Sequence, residues 1–341
     1  VELTKREKVV QYVTSNAAPR AVYEAKLSGV LHKSRISNLF KGSTVYKDIE
    51  KNKFDVLVVD EAHRLSERNL LNTYNGNQVK DLIHAARLTV FFLDETQKVL
   101  IEDIGSEEEI LKQAQQLKAK VEIMDLPTQF RCNGSDGYLA WLDNTLEIRE
   151  TATPTLEGID YDFRVVDSPS ELHRLIREKN SESTSVSGSR MVAGYCWPWK
   201  SKKDWSQTDI NIGDYHVKWN KSQDGSLWAI TKGSINEVGC IHTCQGLEFD
   251  YVGVIIGNDL VVENGLIVTR PEERDHVDAN KTLRGYKGKI KSKDLNEVVK
   301  AKKMADENIK NTYKVLMTRG QKGCYVYCCD RELAEYIKAR I

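Results

Sequence analysis

Val56-Leu57-Val58-Val59-Asp60-Glu61-Ala62-His63 is the stretch on which the reading of the fold turns. Residues 54–59 are almost wholly apolar, the mark of a strand buried on both faces of a parallel sheet. Two adjacent carboxylates follow at once. Open α/β sheets bind nucleotides outside the carboxyl ends of their strands, so Asp60 and Glu61 stand where such chemistry is done. Asp60 is suited to hold Mg²⁺ through its water shell, and Glu61 to orient or deprotonate an attacking water. The competing reading is an acidic loop after a buried strand, because short motifs recur by chance.

Downstream, Val90-Phe91-Phe92-Leu93-Asp94-Glu95-Thr96-Gln97 repeats the design. Gln97 is suited either to sensing a γ-phosphate or to linking a nucleotide site to a bound strand; alternatively, the Asp-Glu pair only caps a helix. Upstream, residues 9–13 form a β-branched and aromatic run ending in Thr14-Ser15-Asn16, and residues 17–31 carry a helical pattern with Pro19 near the first turn. Residues 80–87 read as helix, 88–93 as a second buried strand, and Ser106 with Glu109 has capping-box spacing. Strands alternate with helices, which predicts an α/β sheet. After residues 121–126 the pattern restarts, with helices at 139–148 and 168–178. Strands are expected at 163–166, 191–195, 238–243, 252–256 and 323–328. A serine-rich turn at 182–189 is expected to be a mobile loop, and the tryptophan-rich residues 197–230 an insertion with hairpin character.

The 341 residues suit two domains of ordinary size. Fifty Lys and Arg balance fifty Asp and Glu, so a grip on nucleic acid through overall positive charge is excluded and any such grip must be local. No apolar run approaches the ~20 residues needed to cross a bilayer, and the expected location is cytoplasmic. The seven cysteines form an odd set without a small secreted scaffold, which fits reduced thiols.

Three later segments carry chemistry. Gln129-Phe130-Arg131-Cys132 follows Pro127 at the expected domain boundary, where a guanidinium serves either as an arginine finger or as a surface ion pair. Ile241-His242-Thr243-Cys244-Gln245-Gly246-Leu247-Glu248-Phe249-Asp250 packs a hydroxyl, an amide, a glycine and a carboxylate into one turn between strands, suited to a sugar-phosphate backbone and a nucleotide. Tyr313-Lys314-Val315-Leu316-Met317-Thr318-Arg319-Gly320 places a second arginine after an apolar helix.

Taken in order, Asp60-Glu61-Ala62-His63, Leu93 to Gln97, Gln129 to Cys132, Thr243 to Glu248 and Leu316 to Arg319 resemble superfamily-1 helicase motifs II to VI. More narrowly, the chain resembles the Schlafen group-3-like DNA/RNA helicase domain family over nearly its whole length, with Thr14-Ser15-Asn16-Ala17-Ala18-Pro19-Arg20 at that family's motif Ia. The resemblance implies two RecA-like, P-loop NTPase-type domains with largely parallel sheets. They are residues 1–126 and 127–341, the second with insertions near 197–232 and 258–310. It implies ATP and Mg²⁺ as cofactors and single-stranded or duplex DNA or RNA as partner. By motif position, Asp60 binds Mg²⁺, Glu61 activates water, Gln97 senses phosphate, and Arg131 and Arg319 contact the γ-phosphate. Asp94, Gln129, Gln245, Gly246 and Glu248 join Asp60 around the nucleotide, and Thr14, Asn16 and Thr243 lie near the strand track.

His63 completes the Asp-Glu-Ala-His spelling of the other large helicase class, but the Ser-Ala-Thr and Gln-Arg-x-Gly-Arg segments of that class are absent from the sequence. The departure from the family pattern is at the start. Lys41-Gly42-Ser43-Thr44 lacks the spacing and position of a phosphate cradle, and there is no Gly-x-x-x-x-Gly-Lys-Ser/Thr. Without that lysine and its nest of backbone N–H groups, tight triphosphate binding fails. The expectation is an N-terminally truncated piece of a longer ATPase, inactive in isolation, its phosphate loop and a covalently linked N-terminal domain lying before Val1. The rival functions are a catalytically silent nucleic-acid-binding scaffold and an ATP-driven switch with no unwinding activity.

Two weaker signals remain. Lys281, Arg284, Lys287, Lys289, Lys291 and Lys293 form a positive run without an intervening acid, either a grip on phosphates or a solvated insertion. Trp197, Trp199, Trp205, Trp219 and Trp228 either stack bases or, the favoured reading, fill the core of the insertion. The spacings Cys240-x-x-x-Cys244 and Cys324-x-x-x-Cys328 suit buried thiols better than zinc.

Overall fold

The computed structural model describes residues 2–67, 74–100, 102–126, 131–186, 188–275 and 282–341, and of Arg131 only the backbone. Two units divide the chain between Asp125 and Leu126.

The first unit runs α1 (Glu2–Lys5), β1 (Val10–Thr14), α2 (Ala17–Leu27), α3 (Lys33–Leu39), β2 (Phe40–Lys41), β3 (Phe54–Asp60), α4 (Gln78–Ala85), β4 (Ala86–Phe91) and α5 (Glu107–Gln116). Its four strands form a parallel sheet in the order β2-β1-β3-β4. Strand side chains alternate between faces, so Val13, Leu57 and Val59 all reach one face. There they pack with Val79, Leu82 and Ala85, spaced for one side of α4. Side-chain caps start the helices: Asn16 accepts from Ala18 N at 3.2 Å, Asn77 from Lys80 N at 3.0 Å and Ser106 from Glu109 N at 3.1 Å. Each is worth about 1 kcal/mol. The expected capping box at Ser106 is half made, because the Glu109 carboxylate accepts from Asn77 and Gln113 instead.

The second unit contains α6 (Asp136–Thr145), β5 (Asp162–Val165), α7 (Pro169–Glu182), β6 (Arg190–Ala193), β7 (Ile210–Ile212), β8 (Tyr215–Val217), β9 (Val238–Gly239), α8 (Ile241–Cys244), β10 (Phe249–Ile256), β11 (Leu260–Glu263), β12 (Leu266–Thr269), α9 (Tyr286–Lys289), α10 (Leu295–Met317), β13 (Gly320–Cys328) and α11 (Arg331–Lys338). A parallel sheet in the order β5-β13-β10-β6-β9 forms its centre, and β7-β8 and β11-β12 are antiparallel hairpins. Leu172 and Ile176 of α7 pack on Met191, Ala193 and Ile255, and Trp219 extends that core into the insertion. Both units are thus α/β layers on parallel sheets, as predicted; the run at 88–93, expected as a buried strand, is instead the edge strand β4, with Leu88, Val90 and Phe92 exposed because no further strand among the described residues covers it.

Residues 121–126, after which the pattern restarts, are irregular, and Ile123, Met124 and Leu126 are exposed. A further local expectation is corrected. The strand expected over 238–243 stops at Gly239, because a helical turn begins at Cys240: the Thr243 hydroxyl accepts from Cys240 N at 2.9 Å and donates to Cys240 O at 2.9 Å, drawing the chain out of extended form. Near the two ends of the serine-rich turn, Ser183 Oγ donates to Asp250 Oδ2 at 2.7 Å and Asp250 N to Gly188 O at 2.7 Å. Of the insertion tryptophans, Trp219 and Trp228 are fully buried and only Trp205 is exposed, which fits core filling.

Candidate nucleotide site

β3 carries Asp60 and Glu61 to the carboxyl edge of the first sheet. Register pairs Thr14 with Asp60 across β1 and β3. β4 continues alongside: Phe92 N donates to Val59 O at 2.8 Å and Ala62 N to Phe92 O at 2.9 Å, which fixes the residues before Asp94 beside the carboxylate pair. The same edge therefore receives Thr14, Ser15 and Asn16 from β1, Gly42 and Ser43 from β2, Asp60 and Glu61 from β3, and Asp94 to Gln97 from β4.

Tyr12 donates a hydrogen bond to Asp60 Oδ2. The two side chains meet because Tyr12 pairs with Val58, two positions before Asp60, and so shares its face of the sheet. The rings of Tyr23 and Phe40 lie edge-on to Tyr12 at 6.1 and 5.5 Å. Burial raises the Asp60 pKa above its ordinary value; the Tyr12 bond works against that rise and the neighbouring Glu61 charge adds to it. Burial first, and then the bond to Asp60, pushes the Tyr12 phenol well above its usual range, so it stays a donor.

Glu61 sits at φ 52°, ψ 44°, the left-handed region that a residue with a side chain seldom adopts. Such a conformation costs about 1–3 kcal/mol and persists where the surroundings over-determine it. Here Ala62 N is bonded to Phe92, Arg64 N to Glu61 O at 2.9 Å, and Ile104 N to Leu65 O at 2.8 Å. The Glu61 carboxylate lies 3.0 Å from His63 Nε2, with both side chains buried. Beneath them Gly105 approaches so closely that a Cβ would stand 1.8 Å from Ala62 O.

Asp94 caps the turn Glu95–Gln97, accepting from Thr96 N at 3.1 Å and Thr96 Oγ1 at 2.7 Å. It also accepts from Gln97 Nε2 at 2.7 Å, which orients that buried amide. The capping reading thus holds at Asp94. Thr14 is buried and its hydroxyl accepts from Asn16 N at 3.3 Å, while Asn16 caps α2. Ser15 Oγ and Ser43 Oγ are 2.8 Å apart, and Arg20 Nη1 lies 2.8 Å from where a Cβ on Gly42 would stand. Sequence reasoning passed over Tyr12 and Ser43. The signal for Tyr12 was its two-residue offset from Thr14, legible only once the register is known.

In the second unit Thr243, Gln245, Gly246 and Glu248 surround the turn after α8. Gln245 is fully buried, Gly246 has φ +78°, and Glu248 Oε2 accepts from Gln321 Nε2 at 2.6 Å. Arg319 is buried; its Nε donates to Val315 O at 2.9 Å, Nη1 to Leu247 O at 3.3 Å and Nη2 to Thr318 Oγ1 at 3.4 Å. In this posture it ties the end of α10 to the 245–248 loop. Gln129 lies outside the described residues, as does the side chain of Arg131, whose backbone opens the turn Arg131–Gly134.

Among the described residues no three His, Cys, Asp or Glu side chains group as a dedicated metal cage. One half-buried carboxylate, Asp60, with hard oxygen donors along the same edge fits Mg²⁺, which keeps several waters and is shared with substrate phosphates.

The model of the Schlafen group 3, DNA/RNA helicase domain matches residues 1–330. Among curated proteins, the chain is similar to uncharacterized protein YPL245W of Saccharomyces cerevisiae, at 26% identity over 328 residues, covering 88% of this chain and 68% of that protein. Among solved structures, it is similar to S. cerevisiae Dbp5 bound to RNA and ADP BeF3, at 11% identity and a TM-score of 0.32, covering 98% of this chain and 75% of that one. Matched by the family model over all but its last eleven residues, and with an acidic pair ending a buried parallel strand, the chain belongs to the Schlafen group 3 DNA/RNA helicase domain family.

Proposed function

We propose that the chain is the motor portion of an ATP-dependent DNA/RNA helicase or translocase, in which ATP hydrolysis is coupled to nucleic-acid binding. The observation that carries this reading is the Asp60-Glu61 pair at the carboxyl edge of a parallel sheet, with Thr14 in register and Asp94 to Gln97 delivered alongside.

Asp60, oriented by Tyr12, would hold Mg²⁺, which when bound supplies positive charge to the phosphate oxygens. Glu61 accepts a proton from the attacking water, and His63 at 3.0 Å holds that carboxylate in place. Gln97, locked by Asp94, senses the γ-phosphate. Gln129, Gln245, Gly246 and Glu248 are the proposed further nucleotide contacts, and Thr14, Asn16 and Thr243 the strand contacts. Arg131 and Arg319 are the proposed cationic groups for the γ-phosphate; Arg319 must exchange the carbonyls of Val315 and Leu247 for phosphate to serve there.

The 341 residues contain no Gly-x-x-x-x-Gly-Lys-Ser/Thr loop. Among the described residues no strand pairs with the outer edge of β4, where Leu88, Val90 and Phe92 are 54%, 36% and 43% exposed. An apolar, unpaired edge supports the reading that a further strand, carrying the phosphate loop, adds beside β4. The missing loop also favours a second reading, a nucleic-acid-binding scaffold or ATP-driven switch without unwinding activity.

The test is Mg-ATP turnover by the natural protein containing this chain, with and without single-stranded DNA or RNA, beside its Glu61→Gln variant. Stimulated turnover that Glu61→Gln abolishes supports the motor. Turnover indifferent to nucleic acid identifies the switch, and no turnover in either condition identifies the scaffold.

A further inference from the structure

We propose that the helical corner formed by α9 and the first half of α10 is a nucleic-acid grip separate from the proposed strand contacts at Thr14, Asn16 and Thr243. The inference rests on the nucleic-acid partner of the proposed function but not on its ATP chemistry.

The corner concentrates charge that the rest of the chain balances. Lys287, Lys289, Lys291, Lys293, Lys300, Lys302 and Lys303 are all exposed. Over residues 282–303 the only acids are Asp294 and Glu297, in a chain whose net charge is zero. One of the two is committed locally, since Asp294 caps α10 by accepting from Asn296 N at 2.9 Å. Lys303 lies 3.7 Å from Glu307, whereas Lys289, Lys291, Lys293, Lys300 and Lys302 make no ion pair with any described residue. Seven exposed lysines against two acids over residues 287–303 leave a local positive excess that a polyanion relieves.

A solvated insertion would carry such a run on a loose tether. This one has a rigid base. Thr282 is fully buried and accepts from Arg274 Nη1 at 3.2 Å, and Arg274 is itself paired with buried Asp259 at 2.9 Å. Leu283 is buried beside it, and Ala301 and Ala305 bury the inner side of α10. Tyr286 N donates to Leu283 O at 3.0 Å, which starts α9 directly on that anchor. The lysines therefore project from a fixed surface, and along α10 the run from residue 295 to 303 spans about 12 Å at 1.5 Å per residue. Ammonium groups recognise phosphate as point charges without reading sequence, so the ligand is the phosphodiester backbone of nucleic acid, DNA or RNA.

The experiment measures binding of labelled oligo-dT and oligo-U by the full chain, without nucleotide, between about 50 and 200 mM salt. Two triple variants remove equal charge: Lys289, Lys291 and Lys293→Gln in the corner, and Lys200, Lys202 and Lys203→Gln at another exposed cluster. If the corner holds phosphates, its variant weakens binding roughly tenfold at low salt and flattens the log–log salt slope by about 2, at ~0.7 per lost single-strand contact. The control variant keeps the wild-type slope. Loss with oligo-dT alone or oligo-U alone supports the grip and identifies its strand. Equal losses in both variants or an unchanged slope in the corner variant would overturn it, and unchanged thermal melting excludes misfolding as the cause. Because no ATP is present, a chain that shows this slope but hydrolyses nothing keeps the grip and loses the motor, and the reverse result does the opposite.

Discussion

The Tyr12 hydroxyl donates to Asp60 Oδ2 across 48 residues of sequence, on the strand pair whose register also sets Thr14 beside Asp60. The bond stabilises the ionised carboxylate that burial disfavours. Tyr12→Phe removes it, so the Asp60 pKa climbs further and the acid limb of the proposed ATPase moves to higher pH. A pH–rate profile checks this; an unmoved acid limb shows that Tyr12 does not act through Asp60.

Stability should respond in the opposite sense at the same residue. Because the folded-state pKa of Asp60 is raised above 3.8, its favourable contribution is complete below the unfolded value and is lost as pH rises through the folded one. At neutral pH the charged form is a burden. Asp60→Asn should therefore raise the melting temperature at neutral pH, with the gain shrinking in acid; a lower Tm at neutral pH would contradict the argument.

Left-handed Glu61 separates backbone strain from side-chain chemistry. Glu61→Ala and Glu61→Gly both delete the carboxylate, but only glycine relieves φ 52°. The glycine variant should be more stable by about 1 kcal/mol in denaturant unfolding, while both lack turnover. Equal stabilities would mean that the strain is absent in solution.

Gly105 has no room for a methyl group. Its Cβ would meet the Ala62 carbonyl at 1.8 Å, a backbone atom that cannot rotate away. Gly105→Ala should push the turn that carries Glu61 and His63, lowering stability by about 1–3 kcal/mol as an overpacked site does and reducing turnover more than binding. Crystallography or unfolding that finds the variant unchanged would remove Gly105 from the support of the site.

The ion pair of Arg274 and Asp259 is almost wholly inaccessible. Arg274→Met leaves the carboxylate buried with Tyr313 as its donor, and should cost about 3–5 kcal/mol. Adding Asp259→Asn should recover much of that loss. A double variant as unstable as the single one would show that packing, not stranded charge, sets the cost.

The strand readings held where burial is dictated by local pattern. Residues 54–59 are apolar because a parallel sheet hides both faces of a central strand, and Ser106 announced α5; the equally apolar run at 88–93 is instead the edge strand β4, with Leu88, Val90 and Phe92 exposed. The readings failed where a local bond or a remote partner decides. Thr243 turned the end of an expected strand into the start of α8.

By itself, the order of residues determined two α/β units and an acidic pair at the end of a buried strand, since both follow from side-chain periodicity over a few neighbours. Only tertiary structure decided that Tyr12 meets Asp60, that Ser43 meets Ser15, that Gly105 lies against Ala62, and that the lysine corner stands on Thr282 and Arg274. Each is a contact between segments whose local propensities say nothing of their pairing. Register and packing, properties of two pieces of chain at once, select it.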